Sequence, residues 1–214
     1  KRGIFMNYLE LVNKILIEMN YRTVLNFDEL VKQDHVKIKQ ILSRINTEIC
    51  TSYDWDFLLR ESSLSIPPYT SKIVNPIFGR IDSLSIDGIF YRFQPNYKKL
   101  LYNESGSQSF SVFDNYILIP KFDEPKTAMV TYYTDNSVVD INGKEQAVFE
   151  NETDVSLLPL PYAEMVLVYG TCMKFKGNPN HVKFKYWFSM FNDALANLRA
   201  KSVRSSYDFP FISI

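Results

Sequence analysis

Residues 36–59 read VKIKQILSRINTEICTSYDWDFLL. Ile38, Ile41, Leu42, Ile45 and Ile49 recur at steps of three and four, which makes the apolar stripe of an amphipathic helix. Lys37, Lys39, Gln40, Arg44 and Glu48 fall off the stripe. Asp34, just upstream, is placed to accept hydrogen bonds from the first free amides. Trp55, Phe57 and Leu59 then alternate with Leu58 on the opposite side, as in a strand. The helix must therefore stop near Ser52–Asp54. The stretch reads as a hinge between a helical layer and a β layer, with Trp55 and Phe57 plugging the junction.

Upstream, Tyr8, Leu11, Val12, Ile15, Leu16 and Met19 form a second helical stripe over residues 7–19. Asn7 and Glu10 have capping-box spacing. Residues 20–33 read as a loop with one turn near Phe27–Val31.

Downstream, the period changes to two as far as about Val155. RESSLSI ends at Pro67-Pro68, and RIDSLSI and IFYRF flank Asp87-Gly88, a strong two-residue hairpin signal. SFSVF and YILIP flank Asp114-Asn115, a weaker one. KTAMVTYYT places Ala128, Val130 and Tyr132 on one face, and AVFEN reads as a short strand. Pro95–Leu101 fits a helical turn. Many short strands divided by turn residues predict an antiparallel sandwich or barrel.

Helices return at Pro161, a residue suited to a first helical turn. Tyr162, Met165, Val166, Tyr169, Cys172 and Met173 follow at helical spacing, and Gly177-Asn-Pro179 ends that helix. Phe184, Phe188, Phe191, Leu195 and Leu198 then make a heptad-like aromatic seam, which predicts close packing against a partner helix. The expected fold class is α+β: a four-helix bundle from 1–55 and 158–204, an inserted antiparallel β-sandwich or barrel over 56–157, and an extended tail at 205–214.

Composition bounds the chemistry. With 46% hydrophobic residues and 15% aromatics, the chain is rich enough in core formers to fold. Neither GxxxxGK nor GxGxxG is present, so no phosphate cradle or cofactor is expected. No apolar run approaches ~20 residues, so no membrane span is expected, and the opening KRGIFMNYLE lacks the apolar core of a signal peptide. Cys50 and Cys172 lack CxxC spacing and read as buried thiols. His35 and His181 have no second ligand at metal-binding spacing. Asp54 and Asp56 flank Trp55 and, with Glu61, are the acid–base candidates for a hydrolase. Two residues apart at a helix end, they read as solvated or capping groups. The expectation is no enzyme, no catalytic residue and no metal.

The order of motifs resembles the head-to-tail adaptors of short-tailed bacteriophages, the tail tubular protein A-like ring proteins. MNYLELVNKIL from Met6 resembles their opening helix. Val36–Cys50 followed by Tyr53-Asp-Trp-Asp-Phe-Leu-Leu resembles their second helix and its aromatic step into a strand. NYILIPKFDEP with AMVTYY resembles their strand, proline loop and strand. LPLPYAEMVLVYGTCMKF and the helix after it resemble their closing helix pair. The resemblance covers nearly the whole chain. It implies a dodecameric homo-oligomeric ring beneath the portal protein, in the neck of a virion assembled in the host cytoplasm. Such a ring extends the DNA channel and gives further tail proteins a platform. It also implies a C-terminal segment docked on the portal.

Two surfaces follow as candidates. From Lys174 to Arg204 there are seven basic residues, Lys174, Lys176, Lys183, Lys185, Arg199, Lys201 and Arg204, against one acid, Asp193. They are the candidate channel or interface cations, able to meet passing double-stranded DNA without reading its sequence. Residues 158–214 carry a formal +4 and residues 56–157 a formal −5, which suggests oriented packing between copies. The tail SSYDFPFISI supplies Tyr207, Phe209, Pro210, Phe211 and Ile212 as the portal anchor. The rival classes are a tail-associated hydrolase and a monomeric partner- or carbohydrate-binding β module.

Overall fold

The computed structural model describes residues 6–101 and 108–207. The chain forms two compact units. One spans Leu59–Asp135, and the other is built from the segments on either side of it.

In the flanking unit, α1 (Tyr8–Glu18) begins at the predicted capping box. The Asn7 amide donates to Glu10 Oε2 at 2.8 Å, and the Glu10 amide donates to Asn7 Oδ1 at 2.9 Å. All six residues of its predicted stripe are buried. α2 (Gln33–Thr51) buries Ile38, Ile41, Leu42, Ile45 and Ile49, as their spacing requires. It starts one residue before Asp34, with Lys32 as its cap and no side-chain cap bond. Asp34 therefore lies within the first turn.

After α2 the predicted strand alternation fails. Asp56–Leu58 is a 3-10 turn, which buries Trp55 and Leu58 fully and leaves Phe57 half-buried, stacked on Trp55 and packed against the same core. A 3-10 turn repeats every three residues, and that spacing matches the buried pair.

α4 (Tyr162–Lys176) packs against α1, α2 and α5 (Phe184–Tyr207). It is apolar almost all round because it is enclosed almost all round. Ala163, Val166, Leu167, Val168, Gly170, Thr171 and Cys172 are all buried. Gly170 admits this packing: a Cβ there would lie 3.0 Å from Phe191 of α5 and 3.5 Å from Ile45 of α2. Gly177, at φ 59°, ends α4 in the left-handed conformation that favours glycine.

The Leu59–Asp135 unit holds β1 (Leu59–Ile66), β2 (Lys72–Val74), β3 (Gly79–Ile86), β4 (Ile89–Phe93), α3 (Tyr97–Leu101), β5 (Ser109–Phe113), β6 (Tyr116–Leu118) and β7 (Lys126–Thr134). The strand order is β1-β7-β3-β4-β5-β6-β2. Asp87-Gly88 makes the β3–β4 hairpin as predicted, both residues at positive φ. RESSLSI and RIDSLSI pair with opposite edges of β7. Gly79 is required where β3 crosses β7, since a Cβ there would sit 2.1 Å from the Tyr133 carbonyl oxygen. Ile66, Ile73, Leu84, Ile86, Phe110, Ile117, Ile119, Ala128 and Val130 form one core, so the sheet curls around its own apolar face.

The class is α+β, but the expected architecture is corrected in three respects. The large sheet is mixed, because β4 and β5 run parallel. Parallel neighbours need a long crossover, and α3 lies on it. The region from Asn136 belongs with the helices: β8 (Val138–Val139), β9 (Glu145–Gln146) and β10 (Val155–Ser156) form a three-stranded sheet there. Val138 of β8 and Phe149 from the β9–β10 connection share the helical core, so that unit is not a simple four-helix bundle with a sandwich or barrel over 56–157. Strands of two residues are too short to show a period, which is why AVFEN was the wrong segment to expect as a strand. Finally, α5 continues to Tyr207, past the expected start of the tail.

Asn46 joins α2 to the small sheet. Its Nδ2 donates to the Ser137 carbonyl at 2.9 Å and to Ser137 Oγ at 3.0 Å, and Ser156 Oγ donates to its Oδ1 at 2.6 Å. Ser137 Oγ donates onward to the Ala147 carbonyl at 2.7 Å.

Candidate interaction surfaces

The predicted cations do not form one face. Lys174 pairs with Glu48 of α2 at 2.5 Å. Lys183 donates to the Glu18 carbonyl at 2.8 Å, at the end of α1. Lys176 lies over the Tyr21 and Phe175 rings, and Lys201 over the Tyr162 ring. These four tie elements of their own unit together. Lys185 and Arg199 are exposed and form no ion pair among the described residues. The side chain of Arg204 lies outside the described residues, as does that of Tyr207. So do Phe209, Pro210, Phe211 and Ile212 of the predicted anchor.

The contrast between a basic end and an acidic middle does not separate the two units. Leu59–Asp135 carries eight basic and eight acidic residues. The acidic surplus comes from Asp56 and from Asp140, Glu145, Glu150, Glu152 and Asp154, which share a unit with the basic helices. Much of it is used locally. Asp154 is fully buried and accepts from Gln146 Nε2 and from the Glu150 and Asn151 amides, while Glu152 accepts from the Phe27 amide. Charge complementarity must therefore be sought on single faces.

The aromatic seam of α5 divides in two. Trp187, Ala194, Leu198 and Ser202 are buried, with Phe191 packed beside them. Trp187 is fully enclosed, stacks on His181 and donates Nε1–H to Glu18 at 3.2 Å. Of the predicted seam, only Leu198 is fully buried. At 100° per residue, Phe184, Phe188 and Leu195 lie roughly 40–80° round the helix from the buried stripe. Phe188 is 55% exposed, and it stacks on Phe184 at 6.4 Å. The spacing of the seam was legible in the sequence. What was not legible is that Trp187, off the seam, takes the enclosed place with Glu18 as partner for its N–H and Phe188 is left exposed, while Phe191, Leu195 and Leu198 keep contact with the core.

A second surface had no signal in the sequence. The connection from Asn20 to Lys32 is pinned by Asn13, whose Nδ2 donates to the Val24 carbonyl and whose Oδ1 accepts from the Val24 amide, at 2.9 and 2.8 Å. Asn26 caps the 3-10 turn Phe27–Glu29. Val24 and Leu30 are buried, yet Leu25 and Val31 stand 85% and 81% exposed beside exposed Asp28 and Glu29.

The acid–base candidates are not drawn into a catalytic set. Asp54 is exposed, the Asp56 amide donates to Ser202 Oγ at 3.2 Å, and Glu61 is exposed on β1 of the other unit. No group of three or more metal-ligating side chains occurs among the described residues. His181 accepts from the Lys183 amide through Nδ1, and His35 is buried on α2. No described helix is long and apolar enough to cross a membrane.

Both cysteines are buried, and burial pushes each thiol up to about 12. The thiolate is the reactive form. A thiol reagent at pH 8 is therefore expected to leave both cysteines unmodified in the native protein and to titrate two once it is unfolded. Rapid native labelling would mean that one of them is accessible.

No protein-family model matches this chain, and none of the curated proteins matches it.

Proposed function

We propose that this protein is a structural component of a phage virion, a ring-forming adaptor that joins the portal to the tail and extends the DNA channel. The observation that carries this reading is the order of motifs along nearly the whole chain. It runs from an opening helix with its capping box, through a second helix ending in an aromatic step, to a β region and a closing helix pair. The folded arrangement is compatible with it, since chain segments from both sides of the β unit build one helical body. The mechanism is geometric. The helical body stacks side by side in the ring, and the C-terminal segment fastens to the portal. Lys185 and Arg199, exposed and in no ion pair among the described residues, are the cations with which the closing helix can meet DNA or a neighbouring protein.

The test is to mix the protein with its cognate portal protein and measure the mass and symmetry of the particle by electron microscopy. A closed ring on the portal is expected. Phe209→Ala with Phe211→Ala is expected to weaken portal binding by about 2–5 kcal/mol while the fold survives. A double variant that melts at lower temperature but binds the portal normally per folded molecule would show that these residues serve their own core. Failure to form any portal-bound particle would overturn the reading.

A further inference from the structure

The large sheet of the Leu59–Asp135 unit ends on two edges of unequal character. β2 is three residues long, stops at Asn75-Pro76 and carries Lys72, whose ammonium lies 3.6 Å from the centre of the Tyr116 ring. Short length, lysine and proline are the usual guards of a sheet edge. β1 runs for eight residues in unbroken register with β7 and has no lysine, proline or bulge within it. Its outward groups follow from the β7 side. The Thr127 carbonyl accepts from the Asp87 amide, so the main-chain groups of Thr127 face β3 and those of Ala128 and Val130 face β1. Their partners Leu64 and Ser62 are turned toward β7, which turns Glu61, Ser63 and Ser65 the other way. All three are exposed, and their main-chain amides and carbonyls have no partner among the described residues. We propose that β1 of one copy of this chain pairs antiparallel with β1 of a second copy, about a two-fold axis at Ser63.

A row of alternating main-chain donors and acceptors is completed by another extended strand, and three observations make that strand β1 itself. The first is length. β2 is short, the strands of the small sheet have two residues each, and the remaining strands lie inside the large sheet, so β1 holds the one long open edge among the described residues. The second is register. With Ser63 opposite Ser63, Glu61 faces Ser65 in both directions, so the three open residues of each copy face those of the other, and each facing pair exchanges two hydrogen bonds. The next pair outward is Leu59 with Pro67. Proline brings no N–H, and the Leu59 carbonyl that would have received it already accepts from Arg60 Nη1 at 2.9 Å, so the pairing ends without stranding an acceptor. The third is charge. This register sets Glu61 against Ser65 and Arg60 against Ile66, whereas a slip that sets Glu61 on Glu61 or Arg60 on Arg60 brings like charges together. It also brings Leu64, half-buried at the rim of the core, diagonal to the second Leu64, within reach of apolar contact. A two-fold contact uses the same patch on both copies and is separate from the head-to-tail contact of a ring, so the inference is independent of the ring reading.

The experiment uses the full-length protein alone. Sedimentation velocity over a range of concentrations is expected to show a monomer–dimer equilibrium. Ser63→Pro removes an N–H that β7 does not use, and Ser63→Lys sets two ammonium groups on the axis. Each is expected to abolish the dimer while circular dichroism and melting temperature stay near those of the parent. Facing Cα atoms in such a pair lie about 5.5 Å apart, inside the span of a disulfide. Ser63→Cys is therefore expected to give a cross-linked dimer on mild oxidation, and Glu61→Cys to give one only when mixed with Ser65→Cys. The native cysteines are buried. A protein that stays monomeric at every concentration would overturn the proposal and leave the edge to a strand of a different protein. So would a dimer that survives both Ser63→Pro and Ser63→Lys, or Glu61→Cys chains that cross-link to one another as readily as Ser63→Cys chains do.

Discussion

Trp55→Ala is expected to lower the stability of the helical unit by about 3–5 kcal/mol, the range for emptying a large aromatic site in a packed core. The indole is fully buried, lies 5.6 Å from the Phe57 ring in a stacked arrangement and meets Tyr53 edge-on at 5.0 Å. Its Nε1–H donates to the Ile49 carbonyl at 2.7 Å, in the last turns of α2. That carbonyl also accepts from Ser52 Oγ at 2.9 Å, so it keeps a partner when the indole is removed. The loss is therefore chiefly one of volume, and Trp55→Phe should recover more than half of it. Equilibrium denaturation with urea, followed by far-ultraviolet circular dichroism, measures both variants. A cost below about 1 kcal/mol for Trp55→Ala would mean that the site collapses freely and is no plug.

Asn46→Leu is expected to cost about 1–3 kcal/mol although leucine fills a similar volume. The side chain is fully buried and links Ser137 to Ser156 across the small sheet. The Ser137 carbonyl would keep the Leu157 amide at 3.0 Å and Ser156 Oγ would still accept from the Leu158 amide, so leucine chiefly orphans the Ser156 hydroxyl proton, and one buried unsatisfied group costs about 1–3 kcal/mol. Asn46→Asp separates polarity from size. The carboxylate cannot donate to the Ser137 carbonyl, and burial disfavours its charge, so its folded pKa rises above its unfolded one. The stability that the protonated form contributes is then present at low pH and lost as pH rises through the folded pKa. The variant should accordingly be weakest at neutral pH and recover on acidification. A pH-independent deficit, or a Leu variant as stable as the parent, would remove Asn46 from its place as the link between α2 and the sheet.

Asn46 also marks where sequence reading stops. It lies in the stretch that decides the fold, among isoleucines whose spacing declares their burial. A buried asparagine has the same letter as a solvated one, and what distinguishes it is Ser137 and Ser156, some 90 and 110 positions away. The division of α5 into a buried stripe and an exposed flank has the same origin. Heptad spacing marks Phe184 and Phe188 as apolar-facing along with Phe191, Leu195 and Leu198, but the enclosed place on α5 goes to Trp187, which also finds Glu18 for its N–H, and Phe188 is left exposed. The candidate cations show the converse. Seven were legible as a basic run, and only the folded chain shows four of them engaged by Glu48, the Glu18 carbonyl or aromatic rings.

The sequence by itself determined α1 with its capping box, the helix of α2, the Asp87-Gly88 hairpin and the left-handed stop at Gly177. Each depends on interactions within a few residues, where periodicity, cap chemistry and backbone sterics leave little choice. Tertiary structure decided the parallel pairing of β4 with β5, the assignment of the strands from Val138 to the helical unit and the turn that adds Leu58 to the core beside Trp55 and Phe57. These depend on contacts between residues far apart in the chain. Two-residue strands carry no period of their own, and an apolar side chain gains the same free energy from burial against a helix as against a sheet. Shape complementarity between distant elements therefore made the choice.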